Sequence, residues 1–279
     1  MNKVEEKKKE LPLISIITVC FNAEDDIEKT LLSSLHQTYT NIEIIVKDGR
    51  SEDGTIDIVK KIMTDYDRKI RLEISSDNGI YDAMNQAIDF SEGNWVIFMN
   101  AGDEFYSDSV LEDIFSKDIK ADILYGDALV YDRWGSALWC GDERLIRKKM
   151  PFCHQACLIS RRVLAKYKFD LYYKIAADYN LILTLFAEGY KFYNVNLIVA
   201  KYSLDGVSST KYLAAFEERS NIRIAHKCVL LNYKSSIEYR KGKMMALIKE
   251  QLDEKCPKTF LRILREVYKK YFKKYKIIK

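Results

Sequence analysis

Leu13 to Val19 reads LISIITV, a continuous run of apolar and β-branched residues that decides the fold. A strand with both faces buried has this composition in a parallel sheet, whereas a half-exposed strand alternates apolar and polar residues. Similar runs occur at 42–46 (IEIIV) and 95–99 (WVIFM), and a more polar strand is predicted at 71–75. The chain therefore begins with strands typical of the centre of an α/β sheet.

Helical patterns separate these strands. Apolar residues recur every four positions from Ile27 to Leu35, a second helix is predicted to begin near Thr55, and a third to span 80–90. Asn22 is placed to cap the first helix with its side-chain oxygen. Strands and helices that alternate at these lengths predict a mostly parallel central sheet, flanked by helices and joined by right-handed crossovers.

The pattern changes beyond Glu104. Further strands are predicted at 123–131, 154–160 and 192–202, and a helix at 176–188. From residue 211 the sequence becomes helical and increasingly basic. These shifts predict a charged tail at 1–10, an α/β domain at 11–210 and a helical C-terminal extension at 211–279.

Small and acidic side chains follow all four N-terminal strands, at 18–22, 48–51, 76–79 and 100–103. A single Asp at such a place is more simply explained as a turn or cap residue. Four acidic ends on one rim indicate a binding site, because ligands bind beyond the carboxyl ends of parallel strands. Clustered carboxylates repel one another unless a cation or a hydroxyl-rich ligand lies among them.

Two ligand classes are excluded by motif. The first strand is not followed by GxGxxG, and GxxxxGK[ST] does not occur, so neither a dinucleotide fingerprint nor a P-loop is present. The acidic rim is suited instead to a sugar hydroxyl, a ribose, a base edge, or a phosphate held through Mg²⁺ or Mn²⁺.

Composition indicates the compartment. The 279-residue chain carries a net charge of +4, its first ten residues lack the apolar core of a signal peptide, and its six cysteines are scattered. No apolar run reaches the ~20 residues that span a bilayer. We therefore expect a cytoplasmic protein with reduced thiols.

The last segment, 257–279, combines an apolar-aromatic stripe at helical spacing with Lys and Arg on the opposite face. Two interpretations stay open: a helix docked on the domain with a solvated basic side, or an interfacial helix on anionic lipid, which would place the protein peripherally on the inner face of the plasma membrane. Nucleic acid is not expected as a partner, since no recognition fold accompanies the charge.

Three segments, 12–55, 76–105 and 154–181, resemble family-2 glycosyltransferases in motif order and spacing. The similarity extends from about 12 to 202 and is greatest to the polysaccharide-assembly branch of the colanic-acid type. It implies a GT-A fold. It also implies inverting transfer of a sugar from a nucleotide-diphospho-sugar, commonly a UDP-sugar, to a hydroxyl of a glycan or lipid-linked saccharide.

The resemblance also implies how the donor is bound. Phe21 and its neighbours would contact the nucleotide, Asp48 would accept a hydrogen bond from the base, and Asp77 would lie near the base and ribose. The stretch 79–85 would line the donor pocket. The implied donor-binding residues are Thr18, Phe21, Asn22, Asp48, Asp77, Gly79, Asn85, Asn100, Ala101, Gly102 and Asp103.

The metal-binding DXD position reads Asn100-Ala101-Gly102-Asp103, where the common pattern is Asp-X-Asp-Asp. Only Asp103 keeps a charge there, and we assign the divalent cation, Mn²⁺ or Mg²⁺, to this residue. Asn100 offers a neutral oxygen to a metal or a sugar hydroxyl. Metal binding is therefore predicted to be weaker than in a full motif, or differently arranged.

Catalysis is assigned by the same resemblance. Asp178 matches the acidic residue that acts as general base, and His154 and Gln155 match a segment beside the acceptor or the diphosphate. An acceptor hydroxyl needs a carboxylate within hydrogen-bond reach to remove its proton during attack. The structural alternatives are a helix N-cap for Asp178 and a satisfied strand-end residue for His154.

Two other functions compete with transfer. One is a catalytically silent nucleotide-sugar-binding scaffold with a degraded DXD motif. The other is a sugar nucleotidyltransferase, which needs a glycine-rich basic loop near the N-terminus, where this chain has the acidic TVCFNAEDD. The intact acids Asp48, Asp77, Asp103 and Asp178 favour the transferase, since drift would be expected to erase them together.

Overall fold

A computed structural model of the chain describes residues 11–132, 135–203, 211–255 and 276–277. The strands are β1 (Ile14–Cys20), β2 (Ile42–Asp48), β3 (Ile70–Ile74), β4 (Trp95–Phe98), β5 (Glu104–Phe105), β6 (Ile123–Asp132), β7 (Gly135–Trp139), β8 (Cys157–Ser160), β9 (Phe192–Ser203) and β10 (Lys276–Ile277). The helices are α1 (Ile27–Leu35), α2 (Thr55–Asp65), α3 (Ile80–Phe90), α4 (Val110–Phe115), α5 (Arg161–Tyr167), α6 (Ala177–Ala187), α7 (Tyr212–Ala225) and α8 (Ile237–Lys255).

The strands form one mixed sheet in the order β10-β7-β6-β8-β4-β1-β2-β3, with β9 beside β6 and β5 beside β9. The first four strands are parallel, as the helical crossovers between them require. Antiparallel pairs join β4 to β8, β8 to β6, and β6 to β7. The last pair is a hairpin, because β7 begins three residues after β6 ends. The predicted α/β sheet is confirmed, and parallel pairing occurs among β1–β4 and again between β6 and β9.

Helices cover both faces of the sheet, and each face has its own apolar core. Strand β1 is buried along its whole length. Its Ile17 and Val19 pack with residues of α3 and α6, whereas Ile16 and Cys20 pack with residues of α1, α2 and α4. Full burial of one such aliphatic side chain contributes about 2 kcal/mol. The central strand is therefore fixed from both sides, and its carboxyl end is held rigidly.

Two local predictions were wrong. Asn22 does not cap α1, which begins at Ile27 after Asp26. Asn22 instead has a positive φ of 48°, and its side-chain oxygen accepts a hydrogen bond of 2.9 Å from the backbone N–H of Glu52. It thereby joins the loops that follow β1 and β2. The predicted strand over 154–160 begins only at Cys157, because His154–Ala156 form a short 3₁₀ turn.

The predicted helical C-terminal extension is confirmed between Tyr212 and Lys255, where α7 and α8 lie. Helix α7 contacts α6, and α8 packs on α7, with the rings of Phe216 and Tyr239 at a centroid distance of 5.4 Å. The predicted basic helix 257–279 lies outside the described residues except for Lys276 and Ile277, which are not helical but form β10, an antiparallel neighbour of β7. Within the part of the chain that the structure describes, no helix is both long and apolar enough to cross a membrane.

Gly126 marks a close approach between β6 and β9, next to an irregularity in their pairing. A Cβ atom there would lie 2.5 Å from the carbonyl oxygen of Leu197 and 2.7 Å from Cγ2 of Val199. We expect Gly126→Ala to lower the free energy of unfolding by about 2 kcal/mol, because the two strands must separate. Chemical denaturation measures this loss.

The matched control is Gly54→Ala. A Cβ atom at Gly54 would meet the carboxylate of Glu24 at 2.8 Å, and that flexible side chain can move aside. We expect a change below about 0.5 kcal/mol for this variant. Equal stability of the two variants would contradict the close approach at Gly126.

Candidate active site

The parallel strands bring the predicted rim together. The backbone N–H of Asn22 donates a hydrogen bond of 2.8 Å to Oγ of Ser51. The N–H of Ala101 donates to the carbonyl oxygen of Val19 at 3.3 Å. The segments that follow β2, β1 and β4 therefore lie side by side. Phe21 projects from this rim with 63% of its surface exposed, so its ring is available to a ligand.

A buried ion pair holds the neighbouring rim segments. The Nζ atom of Lys47, at the end of β2, lies 2.9 Å from Oδ2 of Asp77 and donates to the carbonyl oxygen of Ser75 at 2.7 Å. Lys47 is fully buried. The other oxygen of Asp77 accepts a hydrogen bond of 3.0 Å from the N–H of Gly79, directly before α3. Sequence reasoning missed Lys47, although a lysine inside the apolar run IEIIVKD was the available signal.

Asp77→Ala tests this pair. The substitution leaves the ammonium group of Lys47 buried without its counter-charge, so we expect the free energy of unfolding to fall by about 3 kcal/mol. Asp89→Ala is the control, because it breaks the pair between Asp89, whose side chain is 59% exposed, and Lys168. Exposed pairs contribute below about 1 kcal/mol. Equal losses in urea denaturation would show that the buried pair is not structural.

Two side chains predicted to contact the sugar donor, those of Asp48 and Asn85, form hydrogen bonds to other protein groups. Asp48 is fully buried, and its carboxylate accepts hydrogen bonds from the N–H and Oγ of Ser51, at 2.7 and 2.6 Å. The amide of Asn85 bonds both to the carbonyl oxygen and to the N–H of Phe169, each at 2.8 Å. In this conformation both side chains fix backbone segments, and their contact with a base or sugar stays a prediction.

The turn Asn100–Asp103 follows β4 at the rim. The N–H of Asp103 donates to the carbonyl oxygen of Asn100 at 2.8 Å, and Gly102 has a φ of 99°, which favours glycine. Oγ1 of Thr30, on α1, accepts a hydrogen bond of 2.9 Å from the N–H of Gly102. The sequence Asn-Ala-Gly-Asp thus forms a tight turn that is anchored to a helix.

Two oxygen donors of this turn are available to a hard cation. Oδ1 of Asn100 is buried and has no hydrogen-bond partner. Asp103 is 8% exposed, and burial raises the pKa of its carboxyl to about 7. Within the described residues no group of three or more His, Cys, Asp or Glu side chains is placed to bind a metal. The turn fits a divalent cation whose remaining ligands are oxygens from outside the protein.

Asp178 lies in the first turn of α6. It is not the N-cap, which is Ala176. Its Oδ1 lies 3.2 Å from the hydroxyl of Tyr81, and its Oδ2 lies 3.8 Å from Nδ1 of His154. The side chains of Asp178 and His154 keep 19% and 24% of their surface exposed, so a ligand can reach them.

The protons of this group are set by its surroundings. Burial lowers the pKa of His154, against the opposing influence of the Asp178 charge, which favours a neutral imidazole near pH 7. Burial and the charge of Asp178 raise the pKa of Tyr81, so its hydroxyl stays protonated. Nε2 of His154 is buried without a partner. The Asp178 carboxylate therefore lies between a protonated phenol hydroxyl and a neutral imidazole ring.

One turn connects the two acids. Gln155 donates through Nε2 to Oδ1 of Asp103 at 3.3 Å, and His154, the residue before it, approaches Asp178. In the 3₁₀ turn His154–Ala156, the adjacent side chains of His154 and Gln155 point in different directions, the first to Asp178 and the second to Asp103. Sequence reasoning grouped Asp103, His154, Gln155 and Asp178 as one site but did not predict Tyr81, which lay within the donor-pocket stretch 79–85.

Residues 15–167 match glycosyl transferase family 2, and the chain belongs to that family. It is a glycosyltransferase of glycan biosynthesis. It is 28% identical over 208 residues to a PGL/p-HBAD biosynthesis glycosyltransferase of Mycobacterium bovis, covering 71% of this chain and 80% of that enzyme. It is 27% identical to the Escherichia coli UDP-Glc:alpha-D-GlcNAc-diphosphoundecaprenol beta-1,3-glucosyltransferase WfaP, covering 80% of this chain and 92% of WfaP.

Solved structures share the architecture. The mannosyltransferase PcManGT from Pyrobaculum calidifontis, in complex with GDP-Man and Mn²⁺, superposes with a TM-score of 0.63 at 14% identity and covers 95% of this chain and 83% of its own. Staphylococcus aureus TarS 1–349 in complex with UDP gives a TM-score of 0.59 at 18% identity, covering 76% of this chain and 64% of its own. The predicted GT-A fold is confirmed.

Proposed function

We propose that the protein is an inverting glycosyltransferase that moves a sugar from a UDP-sugar to a hydroxyl of a glycan or lipid-linked saccharide in cell-surface polysaccharide biosynthesis. The supporting observation is the 3₁₀ turn His154–Ala156, in which Gln155 contacts Asp103, the acid of the DXD position, and His154 approaches Asp178, the candidate base. The name of WfaP, with a UDP-sugar donor and a diphosphoundecaprenol-linked acceptor, supports the substrate classes.

The donor half of the proposal rests on the rim. Asp103 and Asn100 would hold a divalent cation, Mn²⁺ or Mg²⁺, which supplies positive charge to offset the charge that develops on a departing diphosphate. Mn²⁺ is present in the complexes of PcManGT and of a mycobacterial glucosyl-3-phosphoglycerate synthase, which supports this choice. The exposed ring of Phe21 would contact the nucleotide.

The acceptor half rests on Asp178. Its partly exposed carboxylate removes the proton of the acceptor hydroxyl while the acceptor oxygen bonds to the anomeric carbon and the bond to the diphosphate breaks. A single displacement from the opposite side inverts that centre. Tyr81 donates its one hydroxyl proton to the carbonyl oxygen of Ile175 at 2.9 Å, the shorter of its two contacts. The carboxylate of Asp178 thus keeps lone pairs for the incoming proton.

His154 completes the proposed site. Its Nε2 atom is the buried polar atom of the ring that has no protein partner, and we assign it to the diphosphate of the donor. Donation requires the tautomer with the proton on Nε2. In that role His154 stabilises the leaving group, whereas Asp178 acts on the acceptor.

A panel of nucleotide sugars tests the proposal. Thermal shift and release of nucleoside diphosphate are measured with UDP-glucose, UDP-galactose, UDP-N-acetylglucosamine and GDP-mannose, each with Mn²⁺, Mg²⁺ or EDTA. A metal-dependent shift with one UDP-sugar, and slow release of UDP, is the expected result. Binding without any release would support the silent scaffold, and release of pyrophosphate from a nucleoside triphosphate would support a nucleotidyltransferase.

The membrane proposal concerns 257–279. We assign the basic residues of this segment that precede β10 to an anionic bilayer on the inner face of the plasma membrane, and the lipid-linked acceptor in the name of WfaP supports it. Flotation with liposomes compares the full chain with a chain that ends at residue 256. Loss of binding to anionic vesicles on truncation is expected, and equal binding to neutral and anionic vesicles would contradict the electrostatic part.

A further inference from the structure

Glu218, on α7, binds the backbone segment that leads into α6. Its Oε1 accepts a hydrogen bond from the N–H of Lys174, and its Oε2 accepts from the N–H groups of Ile175 and Ala176, all at 2.9 Å. The first N–H groups of a helix lack intrahelical partners, and Ala176 at the N-cap position offers no side-chain cap. The carboxylate of Glu218 therefore caps α6 through the N–H of Ala176 and holds the two residues before it through the other two bonds.

The capped segment is fixed from its other side as well. The carbonyl oxygen of Ile175 accepts the hydroxyl proton of Tyr81, on α3. Ile175 is thus bound through its N–H to the C-terminal extension and through its carbonyl to the donor-binding region. Asp178 follows three residues later, and Ala176 and Ala177 between them are buried. The peptide held by Glu218 and Tyr81 thus leads directly into the helical turn that carries Asp178.

We propose that Glu218 is a positioning residue for the general base Asp178, so that α7 completes the active site rather than only covering the domain. This inference rests on the proposed function, because it takes Asp178 as the base. Residue 218 lies beyond the region 15–167 that matches the family. A second contact supports the docking of α7 on α6, since Nε2 of His226 lies 3.0 Å from Oδ1 of Asn180.

The chain contains a matched control in the residue before Glu218. Glu217 occupies the same helix and pairs with Nζ of Lys243 on α8 at 2.7 Å, and no hydrogen bond from it to 174–176 is observed among the described residues. Glu217→Gln and Glu218→Gln therefore make the same chemical change one position apart. Only the second places an amide NH₂ group against backbone N–H donors.

The test combines kinetics, binding and amide exchange. We expect Glu218→Gln to lower kcat between about 10-fold and 100-fold, because a misplaced catalytic group costs rate without loss of binding. The substrate is the UDP-sugar that gives the fastest UDP release in the panel. Calorimetry with UDP should show unchanged affinity and stoichiometry, and hydrogen exchange at 174–176 should accelerate at least 10-fold. Glu217→Gln should resemble the wild type in all three measurements.

Other outcomes overturn the inference. A kcat within twofold of the wild type, despite faster exchange at 174–176, would show that the hydrogen bonds of Glu218 to 174–176 do not position Asp178 for catalysis. A fall in UDP stoichiometry that parallels kcat would show loss of folded protein instead. Glu218→Asp keeps the carboxylate on a shorter side chain and should recover part of the lost kcat. An equal loss in Glu218→Asp and Glu218→Gln would contradict positioning by the charge.

The Asp178→Asn variant, measured in the same assays, distinguishes the role of Asp178 as general base from the role of Glu218 in positioning it. An active Asp178→Asn protein would refute the assignment of the base, whatever Glu218 does. An inactive Asp178→Asn protein together with a fully active Glu218→Gln protein would refute only the role of Glu218.

Discussion

Asp178→Asn is expected to lower sugar transfer by about 10²-fold to 10⁴-fold, the contribution of a general base. The amide cannot take the proton of the acceptor hydroxyl, but it is nearly isosteric, and its oxygen can still accept the hydrogen bond from the N–H of Tyr179. The fold and the donor site should therefore be unchanged. The measurements are turnover of the best UDP-sugar and the Kd for UDP.

Asp170→Asn is the control for this result. Asp170 is exposed and accepts a hydrogen bond of 3.0 Å from the N–H of Tyr172, which an asparagine oxygen can also accept. We expect turnover in this variant within twofold of the wild type. Turnover of Asp178→Asn at the wild-type rate would remove Asp178 from the mechanism.

Asp103→Asn is expected to act oppositely on stability and on function. Burial raises the folded-state pKa of Asp103 from 3.8 to about 7. Between these pH values the unfolded chain has released the proton that the folded chain still holds, so stability falls as pH rises from about 4 to about 7. Above that range the metal-free wild type loses on the order of 4 kcal/mol relative to a neutral side chain.

The variant should therefore melt at a higher temperature than the wild type at pH 8 in EDTA, and equally at pH 4. It should also lose the thermal shift that Mn²⁺ and a UDP-sugar give together, because the carboxylate proposed to bind the cation is absent. Thermal melts across pH 4 to 8 measure both effects. Asp108→Asn, an exposed neighbour, is the control and should change neither. A variant that melts below the wild type at pH 8 in EDTA would contradict the cost of ionising Asp103.

The sequence was sufficient to predict the rim. Runs such as LISIITV are buried on both faces, and parallel strands joined by helices place their carboxyl ends together, so local periodicity determined where 100–103 would lie. The helices α3 and α6 were placed within a residue of their observed bounds. These features depend on near neighbours in the chain, which a single sequence records directly.

Long-range polar partners were not predictable in the same way. Asn22 bonds to Glu52 rather than capping α1, Lys47 pairs with Asp77, and Glu218 caps a helix more than 40 residues earlier. In each case the hydrogen-bond or ion-pair partner is distant in sequence and is brought near only by tertiary packing. Local sequence propensities do not predict which distant residues will pair, so these supporting contacts of the site were found only in the structure.

The buried atoms Oδ1 of Asn100 and Nε2 of His154 have a consequence for evolution. A buried polar atom without a partner costs about 1–3 kcal/mol of stability. A substrate that bonds to such an atom need not strip water from it or displace a protein neighbour. Under the proposed function, substitutions that gave these atoms a partner within the protein would raise the stability of the fold and weaken substrate binding. If both side chains bind substrate as proposed, selection for activity opposes selection for stability at Asn100 and His154.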